Sequence, residues 1–248
     1  MNKLPIKDRV KILHCLVEGT SMRATSRLCG CSINTVTKLA RDVGWYAIQY
    51  MDTQFLGLPF INIQCDEITS IIRGRRKNLK EKTAHQPGEV YTWLAIEPAS
   101  KLVFAWHIGG RTRKDANEFL TDVHKRLTYK PIIATDAYAA YNSQIAKVFG
   151  DAKKHNVMMK GDVKRIDGHP VHTSFVERMN GTIRMINARY RRRSQTYSKN
   201  IYDHNLHLAT TFLYYNFCRR HATLKCTPAM VADIAERPLT LEEIVRHA

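Results

Sequence analysis

Three acidic residues stand in settings suited to chemistry: Asp66 in INIQCDEI, Asp136 in PIIATDAY and Glu177 in TSFVERMNGTIR. The first two close apolar, strand-like runs, and the third lies on a helix-like stretch studded with arginine. Converging carboxylates hold divalent cations, and a pair of such ions activates an attacking oxygen and stabilises a leaving one at a phosphodiester. Asp66 is followed by Glu67, and on a strand adjacent side chains point to opposite faces, so one of the two is expected to reach a shared site. Alternation sets Asp66 on the face opposite Ile61, Ile63 and Cys65 but does not choose between the two acids. Asp136 follows IIAT, where a buried strand emerges, and equally suits the N-cap of a helix over 138–149. Glu177 equally suits a surface pair with a nearby arginine. Asn180 and Arg184 follow it by three and seven residues, so one helix face presents carboxylate, amide and guanidinium together.

The surroundings of these acids are cationic. Lys and Arg number 39 against 22 acids, giving a net charge of +17 and a pI near 9.8. Such a surface attracts polyanions by releasing their counterions, and nucleic acid is the commonest partner of that kind. Arg189, Arg191, Arg192 and Arg193 form a dense run after the glutamate helix that invites phosphate contact. The basic stretch from Arg73 to Lys82 is open to two readings, a DNA contact near the acids or a surface insertion. No apolar run reaches the length of a membrane span, and MNKLPIKDRV lacks the apolar region of a signal peptide, so no membrane partner and a cytoplasmic, nucleoid-associated setting are expected. The six cysteines show no framework or zinc-knuckle spacing, so no zinc site is expected.

The elements that must position these groups follow from periodicity. Residues 5–18 read as a helix through Val10, Ile12, Leu13 and Leu16. Ser21 is placed to cap a short second helix, Gly30 to make a tight turn, and Ser32 to cap a third helix holding Val36 and Leu39. That spacing describes a helix-turn-helix, in which Asn34, Thr35, Thr37, Lys38 and Arg41 would face DNA. Residues 42–60 carry Gly44, Gly57 and Pro59 and read as a connector. Beyond it come strands over 61–66, 91–96 and 102–108, a helix over 114–127, a strand over 131–135, a helix over 138–149, a strand over 155–159, and helices over 173–193 and 200–217. The expected fold is α/β, a mixed sheet flanked by helices with a ribonuclease H-like element order, behind an N-terminal all-α domain. The boundaries expected are 1–50 for the helix-turn-helix, 51–60 for a connector, 61–217 for the sheet domain and 218–248 for a C-terminal extension.

CDEI, TDAY and TSFVERMNGTIR followed by RRRSQTYSKN resemble the D-D-E motifs of insertion-sequence transposases of the insertion sequence 1 family, and YYNFCRRHATLKCTPAMVADIAERPLTLEEIV is similar to the C-terminal stretch of related enzymes. The resemblance spans about residues 20–245. It implies a prokaryotic DNA transposase with a ribonuclease H-like catalytic domain, using Mg²⁺, for which Mn²⁺ can substitute, to cut and join element ends. It further implies that Asp66, Asp136 and Glu177 hold the metal, that Arg184 assists them, and that the partners are terminal inverted repeats, target DNA and further copies of the chain. The N-terminal cysteine motif carried by many members has no counterpart here. Two other functions fit the same residues, a nuclease or integrase acting on another DNA substrate and a DNA-binding regulator with structural acids.

Overall fold

The computed structural model describes residues 4–74, 88–150, 155–158, 163–166 and 168–248; the basic stretch from Arg75 to Lys82 lies outside them. Two compact units divide the chain: Met1–Thr53 with Ile71–Gly88 and Thr182–Ala248, and Gln54–Ser70 with Glu89–Gly181. The stretch from Thr182 to Phe217, grouped with the sheet in the sequence reading, falls in the unit of the N-terminal helices.

The second unit is built on a five-stranded sheet. Its strands are β1 (Asn62–Ile71), β2 (Glu89–Ile96), β3 (Val103–Gly109), β4 (Ile132–Thr135) and β5 (His155–Val157), in the spatial order β3-β2-β1-β4-β5. β2 and β3 pair antiparallel, whereas β1 with β4 and β4 with β5 pair parallel, so the sheet is mixed. All four residues of β4 are buried, as expected of a strand covered on both faces. Helices α4 (Arg113–Arg126) and α5 (Ala139–Phe149) follow β3 and β4. Thr112 caps α4 by accepting from the Asp115 N–H. Trp93, Phe104, Phe119 and Tyr141 are fully buried, with Trp93 set edge-on to Tyr141. A short hairpin, β6 (Lys164–Ile166) with β7 (His169–Val171), precedes α6 (Ser174–Ile186). This is the mixed sheet flanked by helices expected from the sequence, in a chain that also carries an N-terminal helical region.

In the first unit, α1 (Ile6–Val17), α2 (Met22–Cys29) and α3 (Ile33–Gln54) begin near the expected residues. Ser21 accepts from Ala24, Ser32 accepts from Thr35, and Gly30 turns the chain at φ +62°. α3 corrects the expectation of a connector from residue 42, because it continues to Gln54. Val36, Leu39, Val43, Ala47 and Met51 are buried along one stripe of it. Gly44 is not a break but a point of close approach: a Cβ there would lie 2.6 Å from the Leu206 backbone and side chain on α7 (Ile201–Leu213). A π turn (Tyr214–Cys218), α8 (Pro228–Val231) and α9 (Leu241–His247) complete the unit, and Arg9 donates to the Ala248 carbonyl. All six cysteines are free thiols.

Candidate functional site

The parallel register sets the first two acids side by side. Asn62 pairs with Ile132 and Gln64 with Ala134, and the same register carried forward puts Asp66 beside Asp136. β4 stops at Thr135 while β1 runs on to Ile71, so the acids border the space beyond the carboxyl end of a parallel strand, where open α/β sheets bind ligands. Asp66, Glu67 and Asp136 each offer a carboxylate oxygen, and these oxygens lie within 4.8 Å of one another. The expectation that only one of Asp66 and Glu67 would reach the site is therefore corrected. Asp66 Oδ1 turns back to accept from the Glu67 N–H at 2.8 Å, and the longer Glu67 side chain reaches the same cluster.

Each carboxylate is held. Asn180 on α6 donates through Nδ2 to Asp66 Oδ2 at 2.8 Å. Asp136 Oδ1 accepts from the Tyr138 N–H at 3.0 Å, the local turn bond that the capping alternative anticipated, while Oδ2 faces Arg111 at 3.8 Å. Glu67 Oε1 accepts from Arg111 Nε at 3.2 Å, and its buried Oε2 has no hydrogen-bond partner among the described residues. Burial pushes the Asp66 carboxyl up to about 6, with the charges of Asp136 and Glu177 adding to the rise. Burial likewise lifts Glu67 to about 7, Asp136 adding to the rise and Arg111 opposing it. Arg111 follows the Gly109–Gly110 pair after β3 and was absent from the sequence candidates. Its signal was a cation directly after two glycines at a strand end, ahead of the Thr112–Asp115 capping pair.

Glu177 stands outside the cluster of three, though close enough to raise Asp66. It is exposed, and its Oε1 accepts from the Thr173 hydroxyl at 2.9 Å. The helix that carries it is fixed to β1 by Gln64, a fully buried residue whose Oε1 accepts from the Phe175 and Val176 N–H groups at the start of α6. Arg184 lies on the last turn of α6, in the other compact unit.

In the first unit, a cleft of about 850 Å³ runs between the N-terminal helices and the segment from Ala188 to His207. Asn34, Thr37 and Arg41 line one side, and Arg189, Tyr197 and Lys199 the other. The groups expected to face DNA are differently engaged there. Asn34 and Lys38 are exposed, with Lys38 paired to Asp42; the hydroxyl of Thr35 meets Ser32, and that of Thr37 donates to the Ile33 carbonyl. Arg41 makes a two-pronged pair with Asp203 at 2.7 and 2.9 Å, so its charge is already answered within the protein. Arg189 is half-buried and donates to Ser198, Arg191 donates to the Met185 carbonyl, and Arg192 and Arg193 are exposed.

No known protein-family model matches the chain, and no curated protein matches it in sequence. Among solved structures, the chain is similar to the catalytic core domain of the HTLV-2 integrase in complex with magnesium. That match has a TM-score of 0.47 and 16% identity, over 71% of this chain and 97% of that one. It is also similar to the Mos1 strand transfer complex, with a TM-score of 0.31 and 8% identity over 85% of this chain and 77% of that one. No helix of the described residues is long and apolar enough to cross a membrane.

Proposed function

We propose that the chain is a DNA transposase of the insertion sequence 1 type, cutting element ends and joining the freed 3′-hydroxyls to target DNA at Asp66, Asp136 and Glu177. The observation that supports it is the carboxylate cluster beside the carboxyl end of β4, three oxygens within 4.8 Å of one another in a chain of net charge +17. The donor set fits a hard divalent cation: among the described residues it is all carboxylate, with no thiol or imidazole, and Glu67 Oε2 is a buried oxygen lacking a partner there. Asp66 and Asp136 would hold the ion with Glu67 against it, and Glu177 would join from α6. Once bound, divalent ions activate the attacking oxygen and stabilise the leaving one.

The chain's own residues do the positioning. Asn180 and the Glu67 N–H occupy one direction of each Asp66 oxygen and so aim the remaining lone pairs. Tyr138 does the same for Asp136. The exposed face of α3, together with Lys199, Arg192 and Arg193, supplies donors to the phosphate backbone. In cleavage, water forms a bond to phosphorus as the bond to the bridging 3′-oxygen breaks, leaving a 3′-hydroxyl and a 5′-phosphate; in joining, that 3′-hydroxyl loses its proton and bonds to a target phosphorus, displacing the target strand's 3′-oxygen, which leaves as a hydroxyl.

A cleavage and strand-transfer assay on DNA carrying the flanking inverted repeats, with Mg²⁺ or Mn²⁺, tests this. Asp66→Asn, Asp136→Asn and Glu177→Gln should each lower the rate by about 10²-fold or more while DNA affinity stays near wild type. Cleavage without joining would leave a nuclease. Intact DNA with every variant and metal would leave a regulator.

A further inference from the structure

The guanidinium of Arg111 lies among the carboxylates that the proposed metal would use. Nε is 3.2 Å from Glu67 Oε1 and Nη2 is 3.8 Å from Asp136 Oδ2, so one cation is shared by two of the three acids in the cluster. Its plane is bounded by aromatic faces, with the Tyr138 ring centroid 4.1 Å from Cζ and that of Tyr91 at 5.7 Å. The backbone beneath is tied down: the Tyr138 hydroxyl donates to the Arg111 carbonyl at 2.6 Å, and Asp115 accepts from the Gly110 N–H at 3.0 Å. The side chain is 41% exposed.

We propose that Arg111 is an internal counter-cation of the carboxylate cluster that a divalent ion must displace, with the rings of Tyr138 and Tyr91 as its seat once displaced. The inference rests on the metal-dependent reading above. A divalent ion bonded to the same carboxylates would sit within a few ångströms of the guanidinium, and two cations at that separation repel. An arginine also binds carboxylate through a fork, whereas a hard ion needs oxygens drawn to about 2.1 Å, so one set of oxygens cannot satisfy both. Cation–π attraction offers the departing guanidinium a place that costs little to occupy, because the rings already flank it. Arg111 is thus a positioning residue: it keeps the acids assembled and sets how tightly the metal binds.

Binding of Mn²⁺ to the full-length protein, measured by titration calorimetry and by electron paramagnetic resonance of the free ion, tests the inference without any turnover. Arg111→Gln should bind Mn²⁺ more tightly, by about tenfold, the scale on which a neighbouring charge alters an ionic equilibrium. Arg111→Lys, which keeps the charge, should fall between the two. The thermal midpoint of Arg111→Gln should drop in chelator and recover when Mn²⁺ is added. An unchanged or weakened Mn²⁺ affinity in Arg111→Gln, with wild-type binding intact and lost in Asp136→Asn, would overturn the role of Arg111 alone. Failure of the wild type to bind Mn²⁺ at this cluster would overturn the metal reading beneath it.

Discussion

Asp66 and Glu67 hold protons more tightly in the folded protein than in the unfolded chain, lifted to about 6 and about 7 chiefly by burial. Because both shifts are upward, the stability they contribute is fully present below the unfolded values near 4 and is lost as pH rises through the folded ones. In chelator, the melting temperatures of Asp66→Asn and Glu67→Gln should therefore gain on wild type between about pH 4 and pH 7. A divalent ion should restore the wild type over the same range, since it favours the ionised acids. A difference between wild type and variants that stays flat across that range would contradict the burial account. Glu67 illustrates what single residues do not disclose: its type and place were plain in CDEI, yet strand alternation argued that only one of Asp66 and Glu67 would reach the site. The backbone bond from Glu67 to Asp66 and the reach of a glutamate brought both acids to one cluster.

At the level of elements, the site depends on how α6 is fastened to β1. Gln64 accepts two N–H groups from the first turn of α6, a cap supplied from another strand rather than from the helix's own N-terminus. Gln64→Leu leaves both donors unsatisfied in a buried place, and should lower unfolding free energy by roughly 1–3 kcal/mol in urea titrations. Asn180, carried on the same helix, should then hold Asp66 less firmly, and Mn²⁺ affinity should fall with stability. Unaltered urea midpoints would show that the cap is dispensable. Most of these elements were legible from periodicity: β2 to β5, α4, α5 and the starts of β1 and α6 stand near their expected limits, whereas β1 runs on past Asp66 to Ile71. α3 was not, because Gly44 reads as a breaker in sequence but serves the contact with Leu206 in the fold. The β6–β7 hairpin was missed, since three-residue strands carry too little alternation to register.

For the whole molecule, an excess of 17 positive charges predicts DNA binding that weakens steeply with salt, by a slope of about −0.9 per phosphate neutralised. Lys199→Ala and Arg23→Ala, both on the cleft of the first unit, should each reduce the slope by about one in fluorescence anisotropy titrations. Replacing Arg41 and Asp203 together, as Arg41→Gln with Asp203→Asn, should leave it where it was, because that pair is already neutral. An equal loss on removing the pair would mean that Arg41 leaves Asp203 to meet DNA. The cleft joins two basic segments that lie far apart in sequence, the third helix and the stretch around Arg189 to Lys199. Spacing alone had no means of bringing them together.

The amino-acid sequence by itself determined the residue types, the strand that carries Asp66, the strand that Asp136 follows, the helix that carries Glu177, Asn180 and Arg184, and the charge that calls for a polyanion. These are local properties, set by period, composition and capping. The tertiary structure decided which acids meet. Asp66 and Asp136 lie together through the parallel register of β1 with β4, Glu67 joins them, and Arg111 arrives from the loop after β3. Such pairings are non-local: they follow from hydrogen-bonded register and burial across the sheet, which no stretch of residues encodes alone.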